Sequence, residues 1–481
     1  MPRPPLSVID LRPTADLPDL GTIVAGVTAR SGPATTEVRT TADTPDGRLL
    51  ARGIVLEHRS TDGGTGRWVL EVPGGPGPIQ WSASAAAVPG EAGALLAGVA
   101  RSAPIAPATT TVTTSRLTVL EGLDGEVVAE VVDRVVDGDG SDDPARAERH
   151  RRVEVVGDAR AVKALRRALR DLREVDGQPS RRPAPVTPRP APPGGSLSAY
   201  VAGVVADGLD RLLAEDPRLR HDVDDDAVHQ ARVATRRLRS DLKTLAAILD
   251  PAWGRELRHE LRWAGERLGG VRDADVLAER LRRRAGAHPD LPGTAALLRR
   301  IGDQRRAAAD ELRVALTSPR WLALLDALDD AAASPPVVAA EADRRRRPLE
   351  PALARLVGRP RRRLRDEVRA LGDHPSDEAL HRVRIRAKEL RYAAEAASRA
   401  RPEAAPLAVA AKGLQTVLGD HHDAVVAEAW LRAAAAATDD PAVAFAAGVL
   451  VGDERAEQAA LRDAWPDAWR AVRAAPSKWL R

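Results

Sequence analysis

Twelve residues recur along this chain with the same chemistry in the same order. VHQARVATRRLR occupies 228–239, and LHRVRIRAKELR occupies 380–391. Aligned on His229 and His381, the copies stand 152 residues apart (381 − 229). Arg232 then matches Arg384, Arg236 matches Lys388, and Arg239 matches Arg391. Repetition at this spacing requires one local unit to be built twice and packed against its copy.

The pattern within each copy is helical. A helix turns about 100° per residue. With His229 at zero, Arg232, Arg236 and Arg239 fall at roughly −60°, −20° and −80°, in one narrow stripe. Val228, Ala231, Leu238, Leu242 and Leu245 take the opposite side, as Leu380, Val383, Leu390 and Ala394 do in the second copy. Asp224, Asp225 and Asp226 precede the first helix, and Ser376, Asp377 and Glu378 precede the second, where they can cap the helix and complement its dipole.

The duplication extends downstream. LRWAGERLGGVRDADVL (261–277) parallels AKGLQTVLGDHHDAVVA (411–427) at an offset of 150 (411 − 261). Arg262 matches Lys412 and Asp273 matches Asp423; the two acids are expected to be buried partners of an arginine on the neighbouring helix. Helical periods are predicted over 197–215, 226–249, 253–268, 272–285, 292–316, 348–368, 376–398, 403–418, 421–437 and 440–465. They predict an all-α domain over 197–475, built as two pseudo-symmetric four-helix bundles.

Ahead of it, GQPSRRPAPVTPRPAPPGGS (177–196) reads as an extended linker. Residues 1–176 have a different texture. TTEVRTTAD, GIVLEHRST, RWVLEVP and TTTVTTSRLTVLEG are short and rich in β-branched residues. Asp124-Gly125 marks a hairpin, and 160–175 reads as a helix. An α+β domain with an antiparallel sheet is predicted there.

Total charge excludes a uniformly basic nucleic-acid coat, because the formal net charge is only +4. The position of each cation therefore carries the information. Cys is absent, which excludes disulfides, thiolate metal sites and a cysteine nucleophile. MPRPPLSVID shows no basic segment followed by an apolar one, and no apolar run reaches membrane length. A cytoplasmic protein is expected.

Two unit charges ~4 Å apart at an effective dielectric of ~20 interact by ~4 kcal/mol. A row of mutually repelling cations, kept twice, is explained by a polyanion that lies on it. Arg offers phosphate a fork of donors, Lys a point charge, and His a donor whose charge varies near neutral pH. The bland explanation is a solvated face tied to nearby acids. The shared register of the two histidines argues against it.

VHQARVATRRLR, LGGVRDADVL, LHRVRIRAKELRY and LGDHHDAVVA together resemble the CHAD family, the conserved-histidine α-helical domains, over about 197–475. The resemblance implies two four-helix bundles and a basic central cavity that binds inorganic polyphosphate. By match, the ligand residues are His229, Arg232, Arg236, Arg239, His381, Arg384, Lys388 and Arg391, with Arg262 and Lys412 from the following helices. Polyphosphate granules are then one place where the protein would act.

TADTPDGRLLARGIVLEHR (41–59), RWVLEVP and GEVVAEVVDRVV resemble segments of a CYTH domain, the triphosphate tunnel fold, in degenerate form. The Glu-x-Glu-x-Lys motif is missing, and Glu71 stands where that family has lysine. Arg59, Arg116, Glu130, Asp133 and Glu154 are remnants, expected to be ordinary strand polar residues. No enzymatic activity and no cofactor are expected.

Two rival functions compete with this one. A metal-dependent triphosphate or polyphosphate hydrolase could use the tunnel, or a metal held at His381 and His421-His422-Asp423. The repeat pairs His422-Asp423 with Arg272-Asp273, and arginine is no metal ligand. A single-stranded nucleic-acid binder would add aromatic platforms, yet aromatics are 2% of residues and the stripes hold none. Replacing Arg232 and Arg384 together is expected to cost more affinity than replacing either alone.

Overall fold

The computed structural model describes residues 6–62, 64, 66–75, 77–83, 87–139, 149–173, 197–247, 249–336, 338, 349–398 and 401–476. The linker at 177–196 lies outside them. The chain divides into two compact units, Met1–Thr187 and Pro188–Arg481.

The first unit is built on one antiparallel sheet. Its strands are β1 (Leu6–Leu11), β2 (Val27–Ser31), β3 (Thr35–Asp43), β4 (Val55–Thr61), β5 (Arg67–Glu71), β6 (Ile79–Ser82), β7 (Ala106–Gly122), β8 (Val127–Asp139) and β9 (Arg149–Gly157). They run in the order β1-β9-β8-β7-β3-β4-β5-β6, with β2 paired to β7. The hairpin at Asp124-Gly125 joins β7 to β8, and Gly125 supplies the positive φ the turn needs. Strands β1, β2, β6 and β9 carry weak alternation, and sequence patterning passes over them. Besides α1 (Leu20–Ile23), two helices cover the sheet. In α2 (Gly90–Ala100), Leu96 packs with Leu56, Trp68 and Leu70. In α3 (Ala159–Ala168), Leu165 packs with Ile9, Val131 and Val155. The predicted helix at 160–175 is thus shorter, passing into a 3-10 turn at Arg170–Leu172.

The second unit is helical. It comprises α4 (Leu197–Asp222), α5 (Asp225–Thr244), α6 (Pro251–Gly286), α7 (Thr294–Thr317), α8 (Pro319–Ala333), α9 (Leu349–Arg369), α10 (Asp377–Ser398), α11 (Ala405–Ala436) and α12 (Pro441–Ala474). The first bundle uses α4, α5, the first half of α6, and α7 with α8, around Leu212, Leu238, Leu257, Leu312 and Trp321. The second uses α9 to α12 around Val357, Leu364, Leu390, Leu414 and Val472. The halves differ at their last helix. Pro319 and its Ser318 cap separate α8 from α7, whereas α12 runs through Pro466 unbroken. The helix α8 is absent from the predicted set.

Two predicted boundaries dissolve. The stretches 253–268 and 272–285 form one helix, α6, and 403–418 and 421–437 form another, α11. The glycines that suggest breaks lie inside the helices. A Cβ on Gly269 would lie 3.8 Å from the Arg232 guanidinium, and one on Gly419 would lie 3.7 Å from Arg384 Nε, so each faces its matched arginine at ordinary contact distance.

The second half of α6 and the first half of α7 meet α11 and α12 in a separate core of Leu281, Leu297, Ile301, Leu431 and Leu450. Gly293 caps α7 with φ +83, and a Cβ there would stand 2.4 Å from the Ala442 carbonyl oxygen. Gly293→Ala is therefore expected to lower unfolding free energy by about 1–2 kcal/mol, through backbone strain and displacement of α12. Urea denaturation checks this; an unchanged midpoint would show that the junction yields freely.

Ion pairs tie the halves together, among them Arg280 and Arg284 of α6 to Glu454 of α12, and two between α5 and α10. Lys243 Nζ lies 2.5 Å from Glu389 Oε1, and Arg237 Nη1 lies 4.0 Å from Glu395 Oε2. The repeat offset of 152 carries 237 to 389 and 243 to 395, so the two contacts are images of each other under the duplication.

Candidate anion-binding cavity

The duplicated helices α5 and α10 pack directly against each other. Their apolar sides are buried as the period predicts: Val228, Ala231, Leu238, Leu380, Val383 and Leu390 are all at or below 1% exposure. Asp224 caps α5 through the Ala227 amide, and Ser376 Oγ accepts from the Ala379 amide at the start of α10. With each core side fixed, the basic stripes turn toward one another.

Between them opens a cavity of about 870 Å³. Arg236, Arg239 and Arg262 line it from the first half, and His381, Arg384 and Lys388 from the second. Glu266 and Glu389 also stand on its wall, and Glu389 is engaged by Lys243 and Arg386. Among the described residues, no carboxylate lies within 4.0 Å of Arg236, Arg239, Arg262, Arg384 or Lys388, although arginines elsewhere in this chain are widely paired. The Nε atoms of Arg236 and Arg384 are buried without a hydrogen-bond partner. Burying donors and charge unpaired is costly, so these groups are poised to gain from an anion.

Electrostatics records the convergence. Burial, then the neighbouring Arg384 and Arg236, push the Lys388 ammonium down to about 7. Burial lowers Arg384 as well, helped by Arg236 and Arg232 from the other half and opposed by Asp423. Burial, Arg262 and Arg236 lower Arg239. Burial and Arg272 lower His229, while burial, Arg384 and Lys388 lower His381. All five shifts disfavour the cationic form, and a bound anion would oppose them.

The structure brings six of the ten sequence-predicted residues to this wall. His229, Arg232, Arg391 and Lys412 do not line it. Arg232 donates to Asp273 Oδ1 at 2.6 Å and to the Gly269 carbonyl at 3.2 Å. Asp273 thus finds its arginine, but its side chain is 71% exposed, not buried as expected. Asp423 makes no such bond to Arg384 and acts on it only through space. Arg391 is held by Glu395 at 2.6 Å and Gln415 at 3.1 Å. Lys412 is exposed. The duplication places equivalent cations in unequal surroundings: Asp423 matches Asp273 yet does not bond Arg384, and Glu395, which holds Arg391, has Lys243 as its counterpart.

The His-His-Asp triplet divides. His422 Nδ1 lies 3.2 Å from His381 Nδ1, and burial with Arg384 and His381 nearby pushes His422 down to about 4. His421 turns to Asp377 and Arg462, at 3.3 and 3.2 Å. Among the described residues, no three His, Asp or Glu side chains converge as a metal site. In the first unit, Arg59 bridges Glu57 and Glu71, Asp133 pairs with Arg151 at 2.6 Å, and Glu154 pairs with Arg134 at 2.6 Å. Glu130 and Arg116 are exposed. The Asp43 carboxylate accepts from the amides of Thr44, Leu49 and Leu50, which makes the DTPD stretch a structural turn.

Sequence reasoning misses Arg255, Arg258 and His259, which extend the same wall along α6. Their signal is present: 255, 258 or 259, and 262 recur at helical spacing on one face. It also misses Tyr392, which follows the second stripe directly. Tyr392 stands in the wall with Arg236 at 5.9 Å and Arg391 at 5.3 Å from its ring centroid.

Comparison with known proteins adds the following. The CHAD domain family model matches residues 203–432. The chain is 32% identical over 454 residues to the uncharacterized protein Rv2226 of Mycobacterium tuberculosis (strain ATCC 25618 / H37Rv), covering 86% of this chain and 85% of that one. The uncharacterized protein MT2285, from strain CDC 1551 / Oshkosh, matches with the same identity and coverage. That share is larger than the helical unit alone can supply. Among solved structures, PptA from Streptomyces chartreusis aligns at 29% identity and TM-score 0.49, covering 57% of this chain and 99% of that one. The CHAD domain from the plant Ricinus communis aligns at 25% identity and TM-score 0.47, covering 59% and 94%. Among the described residues, no helix is long and apolar enough to cross a membrane.

Proposed function

The chain belongs to the CHAD domain family, and from that membership we propose that its helical unit binds inorganic polyphosphate in the cavity between α5 and α10, without turning it over. One observation carries the reading. Cations from both halves share a wall, and Arg236, Arg239, Arg262, Arg384 and Lys388 have no carboxylate partner among the described residues. A single phosphate would neutralise one or two of them. A phosphate chain offers a charge to each in turn, and the forked guanidinium donors match its oxygens.

A base-bearing polyanion fits less well. Among the described residues, Tyr392 is the one Tyr, Trp or Phe side chain on the wall, and it already stacks with Arg236 and Arg391. It leaves no platform for a base. The acids of the first unit that a tunnel hydrolase would turn to metal are instead spent on arginines. Release of phosphate from triphosphate with Mg²⁺ or Mn²⁺ is expected to stay at background. Association with polyphosphate granules is a natural setting for such a binder.

Calorimetric titration of the full chain tests this against long polyphosphate, triphosphate and single-stranded DNA. Long polyphosphate should bind tightest, and its affinity should fall by roughly tenfold or more between about 0.05 and 0.2 M salt as condensed counterions are released. Equal affinity for DNA, or binding that ignores salt, would sink the assignment.

A further inference from the structure

We propose that the phosphate chain runs out from between the two stripes in one direction only, along the first half of α6, where Arg255, Arg258 and His259 hold it. This rests on the polyphosphate reading and adds a polarity that the duplication alone does not supply.

The basic wall does not stop at Arg262. Arg258, His259 and Arg255 continue it toward the start of α6, over about 10 Å of helix. Among the described residues, Arg255 has no acid within ion-pair distance, and Arg258 spends only its Nε, on the Gly254 carbonyl at 2.7 Å. His259 is 69% exposed, with Glu260 Oε1 at 4.0 Å, and Glu260 is itself bound by Arg320 at 2.6 Å. Arg239 stands between this extension and the central stripe with no acid in contact among the described residues.

The image of this surface in the second half is not basic. With the offset of 150, Arg255, Arg258 and His259 correspond to Ala405, Ala408 and Val409, of which Val409 is 70% exposed. Lys243 corresponds to Glu395, and Glu395 with Gln415 already satisfies Arg391, the counterpart of Arg239. On that side a chain would meet a carboxylate, a neutralised arginine and alanines. The α6 side offers three further donors; the acids against them are Glu266 on the central wall and Glu260 beside His259, which Arg320 already holds at 2.6 Å. A polyanion longer than the central stripes therefore continues over α6.

The test compares variants of the full chain by titration with long polyphosphate and with triphosphate. Arg255→Ala with Arg258→Ala should cost about tenfold for the long chain and little for triphosphate, which fits within the central cavity. Arg255→Glu tests the same point without touching the Arg258 bond to Gly254, and should cost at least as much. Lys412→Ala, the image of a change at Arg262, should cost the long chain less than either α6 variant. Directionality is overturned if Lys412→Ala costs as much as the α6 variants, or if those variants bind the long chain like the wild type. Wild-type protein that binds no polyphosphate would overturn the function itself, a distinguishable result.

Discussion

Replacing Arg236 and Arg384 together by Ala should lower affinity for long polyphosphate by roughly 100-fold or more, while the melting temperature holds or rises. Each side chain offers a charge-assisted contact, worth about 1.5–3 kcal/mol when a partner is present. They face each other from opposite halves, and each carries a buried Nε with nothing to donate to. In the free protein their proximity is repulsive, so removing both relieves strain instead of breaking a bond. The contrast is with Arg232 and Arg384, the pair the duplication singles out. Arg232 is committed to Asp273 and to the Gly269 carbonyl. Its replacement should cost less affinity and more stability. Titration and thermal melting of both double variants decide the matter, and normal binding by the Arg236 and Arg384 variant would refute the cavity assignment.

The second large effect concerns Lys388. Burial and the adjacent arginines hold its ammonium near 7, against an ordinary value of 10.5. Between those two pH values the unfolded chain holds a proton that the folded protein has released, so stability rises with pH across that window. Below about 7 the folded protein must carry the buried charge, and the cost is felt in full. Lys388→Met keeps the length and removes the charge. It should stabilise the free protein by about 1–3 kcal/mol at about pH 6, with a smaller gain at about pH 9. The same change should weaken polyphosphate binding by about tenfold at about pH 6. It should also flatten the loss of affinity expected of the wild type as pH rises through about 7, where Lys388 gives up its charge. Urea denaturation at the two pH values gives the first result and titration across pH the second. A less stable variant in mild acid, or an unaltered pH profile, would contradict this account.

The helical unit is legible in the sequence because its code is periodic. His229 and His381 set a register, and the spacing of a helical turn assigns Val228, Leu238, Val383 and Leu390 to the cores in which they are buried. The same periodicity cannot reveal which cations remain unneutralised. That depends in part on Asp273 and Gln415, which reach across from other helices and leave no local pattern, whereas Glu395 pairs with Arg391 at i,i+4 on one helix, a spacing the sequence does show. Glycine misleads in one respect. Gly269 and Gly419 look like helix ends, whereas they lie within unbroken helices beside Arg232 and Arg384. In the first unit, β3 coincides with TTEVRTTAD residue for residue, because alternation and β-branching coincide there. Strands β1 and β9 pair across 140 to 150 residues (151 − 11 and 156 − 6) and carry too little alternation to announce themselves.

The pairs Lys243–Glu389 and Arg237–Glu395 bear on how this molecule came to be. Two identical halves would bring like charge against like at both contacts, since 237 faces the counterpart of 243. Here one half has become the base and the other the acid. Each half therefore complements its sibling at these contacts better than it would a copy of itself, and covalent fusion holds the two at one-to-one stoichiometry.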